Sequence, residues 1–128
     1  MSDRQKLQEI RPAIPNIIEE NSTSTAERFQ NQCLRPVLKS QNDLLVAIFQ
    51  HYIQKRKNKF YELVPKQRLE YIEQSIRQDL KFKNLLVGTI IGQFTVEEYQ
   101  VFHNDEKEFT RRMADLLVQR VQSQIEKL

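Results

Sequence analysis

The sequence predicts an all-α protein: a single-domain bundle of about four main helices, one of them kinked at Pro36, plus a short N-terminal arm. The 128 residues include only two glycines and four prolines, which disfavours strands and tight turns. Apolar residues also recur with a period near 3.6 along most of the chain, as in helices that bury one face. We therefore expect an arm and loop over residues 1–25 and a helical bundle domain over residues 26–128.

The N-terminal arm has weak helical character. Three apolar residues have helical spacing, Leu7, Ile10 and Ile14, and Pro12 and Pro15 interrupt their pattern. Residues 21–25 are typical of a loop that ends in a helix cap. We expect this arm to be weakly ordered or to dock late.

The first main helix is predicted over residues 26–57. Its apolar stripe contains Phe29, Cys33, Val37, Leu44, Ile48 and Tyr52. Pro36 lies inside this pattern, where it removes a backbone N–H and its ring clashes with the preceding turn. We expect the helix to kink or restart near residues 34–36.

The second main helix is predicted over residues 65–93. Pro65 suits its first turn because the proline ring fixes a helical φ. The apolar period continues through the segment, either as one long helix or as two helices broken near Asn84. Its length favours a central position in the bundle.

The third and fourth helices are predicted over residues 95–104 and 105–127. Thr95 and Glu98 match a capping box, in which each side chain bonds the backbone amide of the other residue. Asn104 and Asp105 can cap the last helix.

Gly88 and Gly92 are the most specific feature of the sequence. They lie one helical turn apart in an apolar stretch, and each glycine inside a helix costs about 1 kcal/mol relative to alanine. Such a pair is explained where another backbone or a ligand approaches closely. Three interpretations remain open: an internal helix crossing, a homodimer seam flanked by Val87 and Ile91, and a ligand against the backbone.

Charge is unevenly distributed along the chain. Residues 55–83 contain nine basic and four acidic side chains, whereas residues 97–108 contain five acidic and one basic. The basic run of Lys55, Arg56, Lys57 and Lys59 is suited to contact with the phosphates of a nucleic acid. A solvated helix end is the simpler interpretation, and opposite patches would also suit self-association.

The sequence carries no catalytic or cofactor signature. Cys33 falls on an apolar stripe, where a thiol packs as a small hydrophobe, and a lone cysteine favours a reducing compartment, the cytoplasm. His51 and His103 belong to no metal-ligand motif, although acidic neighbours make His103 a candidate for a weak metal or proton-transfer site. We expect no catalytic residue, no cofactor and no membrane span.

Two segments carry a family resemblance. They are residues 34–44, with the sequence LRPVLKSQNDL, and residues 82–99, which include both glycines. They resemble a family of short all-helical bacterial proteins of uncharacterised function, some of which are labelled glyoxalase. The resemblance implies a compact cytoplasmic helical protein over residues 26–126 and supplies no catalytic residues. The strands, the His/Glu metal set and the dense His/Asp motif of known glyoxalase types have no counterpart in this sequence.

The sequence thus predicts a small cytoplasmic interaction module that binds itself or another protein through a helix face. Its seam residues are Val87, Gly88, Ile91 and Gly92. The first alternative is a nucleic-acid-binding accessory protein that uses residues 55–59. The second is a small-molecule enzyme that matches the glyoxalase label and uses His103 with nearby carboxylates.

Overall fold

The computed structural model describes residues 1–14 and 24–128, and every regular element in these ranges is helical. The all-α class is therefore confirmed. The helices are α1 (Asp3–Glu9), α2 (Thr25–Phe29), α3 (Arg35–Ser40), α4 (Asn42–Lys55), α5 (Pro65–Gln78), α6 (Leu80–Ile91), α7 (Val96–Asn104) and α8 (Glu106–Ser123). Shorter turns are the π-helix Gln30–Leu34 and the 3-10 helices Lys59–Glu62 and Ile125–Lys127. The expected number of about four main helices is too small because local breaks divide the predicted segments.

The N-terminal arm contains α1 and is attached to the bundle by polar contacts. The Ser2 hydroxyl accepts from the Gln5 amide at 3.2 Å, and the Gln5 side chain accepts from the Ser2 amide at 3.0 Å. Arg4 donates to the carbonyls of Gly92 and Phe94. Because α1 buries none of its own residues, the two hydrogen bonds from Arg4 contribute to holding it against the bundle.

The predicted loop before the bundle lies mostly outside the described residues. Pro15 and residues 21–23 belong to that part of the chain. Ser24 is described, and its hydroxyl accepts from the Glu27 amide at 3.1 Å. The predicted helix cap at this end of the loop is therefore confirmed.

Pro36 coincides with a change in helix type, as expected. The chain runs through α2 into the π-helical turn Gln30–Leu34 and then into α3, where Pro36 occupies the first turn. The amide of Arg35 donates to the carbonyl of Gln30, five residues back. The wider π-turn accommodates a proline ring that would clash with an α-helical turn.

Two further breaks were not placed correctly by the sequence. Gln41 separates α3 from α4, and Asp79 separates α5 from α6. Asp79 has an extended backbone, and its carboxylate accepts from the Phe82 amide at 3.1 Å, so it caps α6. The prediction of one helix over residues 65–93 is wrong, and the break lies ahead of the alternative position at Asn84.

The predicted caps of α7 and α8 have different outcomes. The Thr95 hydroxyl accepts from the Glu98 amide at 3.1 Å, and Glu98 accepts from the Thr95 amide at 2.8 Å. This confirms the capping box. Asp105 occupies the cap position of α8, but its side chain makes no cap hydrogen bond there.

The longest helix, α8, is the central element of the bundle. It packs against α3, α4, α5, α6 and α7. The prediction that residues 65–93 form the central element is therefore wrong. The largest fully buried side chains include Leu34, Leu45, Phe49, Ile53, Phe60, Ile72, Ile76, Leu86, Ile90, Met113 and Leu117.

Candidate functional site

The most apolar of the five longest helices is α6. Its inner side is buried against the core through Phe82, Leu86, Val87 and Ile90. Its outer side includes Leu85, which is 54% exposed. Leu85 is a large exposed apolar residue beside the exposed Lys81 and Asn84, so this outer side is a candidate binding surface.

Four exposed residues define the outer face of α6. Lys81, Leu85, Gly88 and Gly92 are spaced four, three and four residues apart, which places them along one side of the helix. Apart from its chain neighbours and the backbone of its own helix, no atom of the described residues lies within 4 Å of the position that a Cβ on Gly88 would occupy. The internal-crossing interpretation therefore finds no neighbouring helix at Gly88 among those residues.

The other predicted seam residues have different environments. Val87 is buried at 9% exposure, and Ile91 is half-buried against the core. Gly92 ends α6 instead of lying inside it, and its φ of −58° is open to any residue. The expectation that both glycines are interior to a helix is therefore wrong for Gly92.

Exposed apolar side chains continue beyond α6 along the chain. Val96 is 59% exposed and Tyr99 is 46% exposed in α7. Glu97 lies between them and is also exposed. The outer face of α6 is thus basic at its start, through Lys81, and is followed by an exposed acidic residue at the start of α7.

Arg11 and Glu98 form a buried ion pair that sequence reasoning missed. Both terminal nitrogens of Arg11 donate to the Glu98 carboxylate at 2.8 Å, and one also donates to the Gln93 carbonyl at 2.6 Å. The side chains of Arg11 and Glu98 are 6% and 12% exposed. The pair links the N-terminal arm to the start of α7. No local pattern could reveal it, because the partners are 87 residues apart.

The surroundings of the Arg11–Glu98 pair shift the pKa of Glu98 and the pKa of the nearby Cys33 thiol. Burial acts to raise the pKa of Glu98, but hydrogen bonds from Arg11 and the Thr95 amide hold that pKa below its ordinary value. Burial, with the nearby Glu98 charge, raises the pKa of the Cys33 thiol. Cys33 is 1% exposed, which confirms its predicted burial, and its raised pKa keeps it protonated.

The basic run lies where α4 ends. Lys55, Arg56, Lys57 and Lys59 are all exposed, and Lys57 has a left-handed φ of 59°. Arg56 is already engaged within the chain: its guanidinium donates to Asp79 at 2.8 Å. The same group lies 3.6 Å from the centroid of the Tyr52 ring. Arg56 is therefore less available to bind a phosphate, which weakens the alternative prediction of a nucleic-acid site formed by all four cations.

Tyr71 stands beside the basic run with a buried hydroxyl that has no hydrogen-bond partner in the described part of the chain. Burial raises the pKa of Tyr71. The neighbouring Tyr52 hydroxyl, in contrast, donates to Asp79 at 3.1 Å. The Tyr52 ring is thus an aromatic support for Arg56.

A surface cleft of about 990 Å³ lies beside the start of α8. Three of its charged side chains, Arg77, Glu108 and Arg111, are paired with one another or with their neighbours. Arg111 donates to Glu108 at 2.7 Å, and Arg77 donates to Asp115 at 2.8 Å. Hydrogen bonds from Arg111 and Arg112 lower the pKa of Glu108 to about 2. Glu108 is therefore held in its ionised form by its two arginine partners.

The histidines lie apart from any metal-ligand cluster in the described ranges. Among residues 1–14 and 24–128, no group of three His, Cys, Asp or Glu side chains is placed to hold a metal ion. His103 is exposed, and its ring stacks on Tyr99 with centroids 6.2 Å apart. Glu98, an acidic residue five positions before His103, is held by Arg11. No helix in the same ranges is long and apolar enough to cross a membrane.

No protein-family model, curated protein or solved structure matches this chain. The resemblance to glyoxalase-labelled bacterial proteins therefore stays a prediction. The function must be argued from the surface of the bundle itself.

Proposed function

We propose that this protein is a self-associating interaction module whose copies pair through the outer face of α6. The observation that carries the proposal is the exposure of Leu85 beside two exposed glycines on one side of the most apolar long helix. The buried, unpaired Cys33 suits a reducing compartment, which favours the cytoplasm.

The shape of this face is complementary to itself. In an antiparallel pair of α6 helices centred next to Gly88, Leu85 of each copy lies opposite Gly92 of the other. A leucine then fills the space that the glycine leaves without a side chain, and the two backbones approach closely. A two-fold axis uses the same residues from both copies, as a closed dimer requires.

The charges near this face are also complementary under the same axis. Lys81 precedes Gly88 by about two helical turns, and Glu97 follows shortly after the end of α6. We expect the antiparallel arrangement to bring Lys81 of one copy near Glu97 of the other. This complementarity favours a second copy as the occupant of the face.

The direct test is the solution mass of a Leu85→Glu variant, measured by light scattering beside the wild type. The variant should be monomeric at concentrations where the wild type is dimeric, because it removes the apolar contact and places a charge against Gly92 of the other copy. Its unfolding midpoint should change little when monomers are compared, because Leu85 is 54% exposed in the single chain.

The matched control is Val64→Glu, which places the same charge at another exposed apolar residue, 57% exposed, ahead of α5. This control should keep the wild-type mass. Equal masses for Leu85→Glu and the wild type would contradict the proposed face.

A further inference from the structure

Arg35 and Arg120 line a cavity of about 210 Å³ between α3 and α8. Both side chains are half-buried, and they are close enough that the charge of Arg35, after burial, lowers the pKa of Arg120. The rest of the lining includes apolar Leu38 and Leu116 and the neutral Gln119, with no acidic side chain from the described residues. Two like charges therefore share a partly dry cavity.

Neither arginine forms an ion pair with an acid in the part of the chain that the structure describes. Arg35 donates through Nε to the Asn31 side chain at 3.2 Å, which orients its guanidinium and leaves the two terminal nitrogens for other contacts. Withdrawing cations from water without a counter-charge is unfavourable, and each guanidinium presents a fork that matches the oxygens of an anion.

We propose that this cavity is a binding site for a dianionic phosphoryl group, which Arg35 and Arg120 hold together. A phosphate carries about two negative charges near neutral pH and so balances both arginines, whereas a single carboxylate balances one. The cavity is smaller than the roughly 300–1,000 Å³ typical of drug-sized ligands, which limits the enclosed part to a small anion. This site lies away from the outer face of α6 and does not depend on self-association.

The test uses the whole protein, inorganic phosphate as the probe, and thermal unfolding in phosphate-free buffer at constant ionic strength. Phosphate at ten times its dissociation constant should raise the wild-type midpoint by about 5 °C. Chloride and acetate at the same ionic strength should not. Arg120→Met, which keeps an apolar stem but removes the fork, should abolish the shift. Lys107→Met removes an exposed cation elsewhere and should leave the shift intact.

Three results would overturn the proposal. The first is a wild-type midpoint that phosphate leaves unchanged, and the second is an equal response to acetate and phosphate. The third is a phosphate-induced shift that Arg120→Met retains in full, because that would show that Arg120 does not bind the phosphate. The site would be supported if phosphate raised the unfolding midpoint of the wild type and of Lys107→Met but not that of Arg120→Met.

Discussion

At the scale of single residues, Arg11 and Glu98 link the N-terminal arm to the bundle. Glu98 has two roles, because one oxygen caps α7 at the Thr95 amide while the carboxylate as a whole receives the Arg11 fork. Removing one member of a buried pair leaves the other charge desolvated and unbalanced. The arm therefore contributes to the stability of the bundle through this contact.

We expect Arg11→Met to lower the free energy of unfolding by about 3 kcal/mol, because it leaves Glu98 buried without its partner. Chemical denaturation measures this change. Lys6→Met is the control in the same arm, since the Lys6–Asp3 pair is exposed and should contribute little. Equal stability of Arg11→Met and Lys6→Met would show that the ion pair does not hold the arm.

The same pair predicts a dependence of stability on pH. The pKa of Glu98 is lower in the folded protein than its ordinary value, so unfolding takes up a proton in acid. The stabilisation is complete above about pH 4.3, the ordinary value for glutamate, and is lost as the pH falls through the lower folded pKa. The difference in unfolding free energy between the wild type and Glu98→Gln should therefore shrink below about pH 4.

Glu70→Gln is the control for the pH series, because Glu70 is an exposed glutamate in α5, away from the Arg11–Glu98 pair and from the proposed dimer contact. Its denaturation curves should follow the wild type across the range. If the difference in unfolding free energy between Glu98→Gln and the wild type stayed constant down to about pH 3, the lowered pKa of Glu98 would be contradicted.

At the scale of the elements, the sequence located two local features, Pro36 and the Thr95 capping box, and missed the breaks at Gln41 and Asp79. Pro36 and the Thr95 capping box act within one turn, so the sequence alone located both. Asp79 also caps a helix locally, but the apolar period continues across it and concealed the break. Arg11 and Glu98 meet only after the chain folds, which is why no spacing pattern revealed their contact.

We expect Thr95→Ala to lower the free energy of unfolding by about 1 kcal/mol, because the first turn of α7 loses its side-chain cap. Thr95→Ser should retain most of the stability, since it keeps the hydroxyl. Thr110→Ala, within α8, is the control and should change stability by less than about 0.5 kcal/mol. If Thr95→Ala were as stable as the control, another acceptor would have to replace the Thr95 hydroxyl at the Glu98 amide.

At the scale of the whole molecule, the bundle covers one side of α6 and leaves the other side exposed. The sequence identified Gly88 and Gly92 as unusual, but it could not show which side of the helix they occupy relative to the core. The structure places Val87 inward and Gly88 outward. The proposed dimer depends on that orientation and on the charges at either end of the face.

Reversing those charges tests the register of the dimer. Lys81→Glu and Glu97→Lys should each weaken self-association, because each places like charges opposite one another across the two-fold axis. The double variant should restore it, and dissociation constants from sedimentation measure all three. If the double variant lost as much binding free energy as the two single variants together, that result would contradict the antiparallel register.

The most direct measurement is the solution mass of the unmodified protein over a range of concentrations at low and high salt. Twice the 15.4 kDa of one chain, retained at high salt, is the result expected for a largely apolar interface between α6 helices. A mass of one chain at every concentration would contradict self-association and leave the outer face of α6 without the proposed occupant.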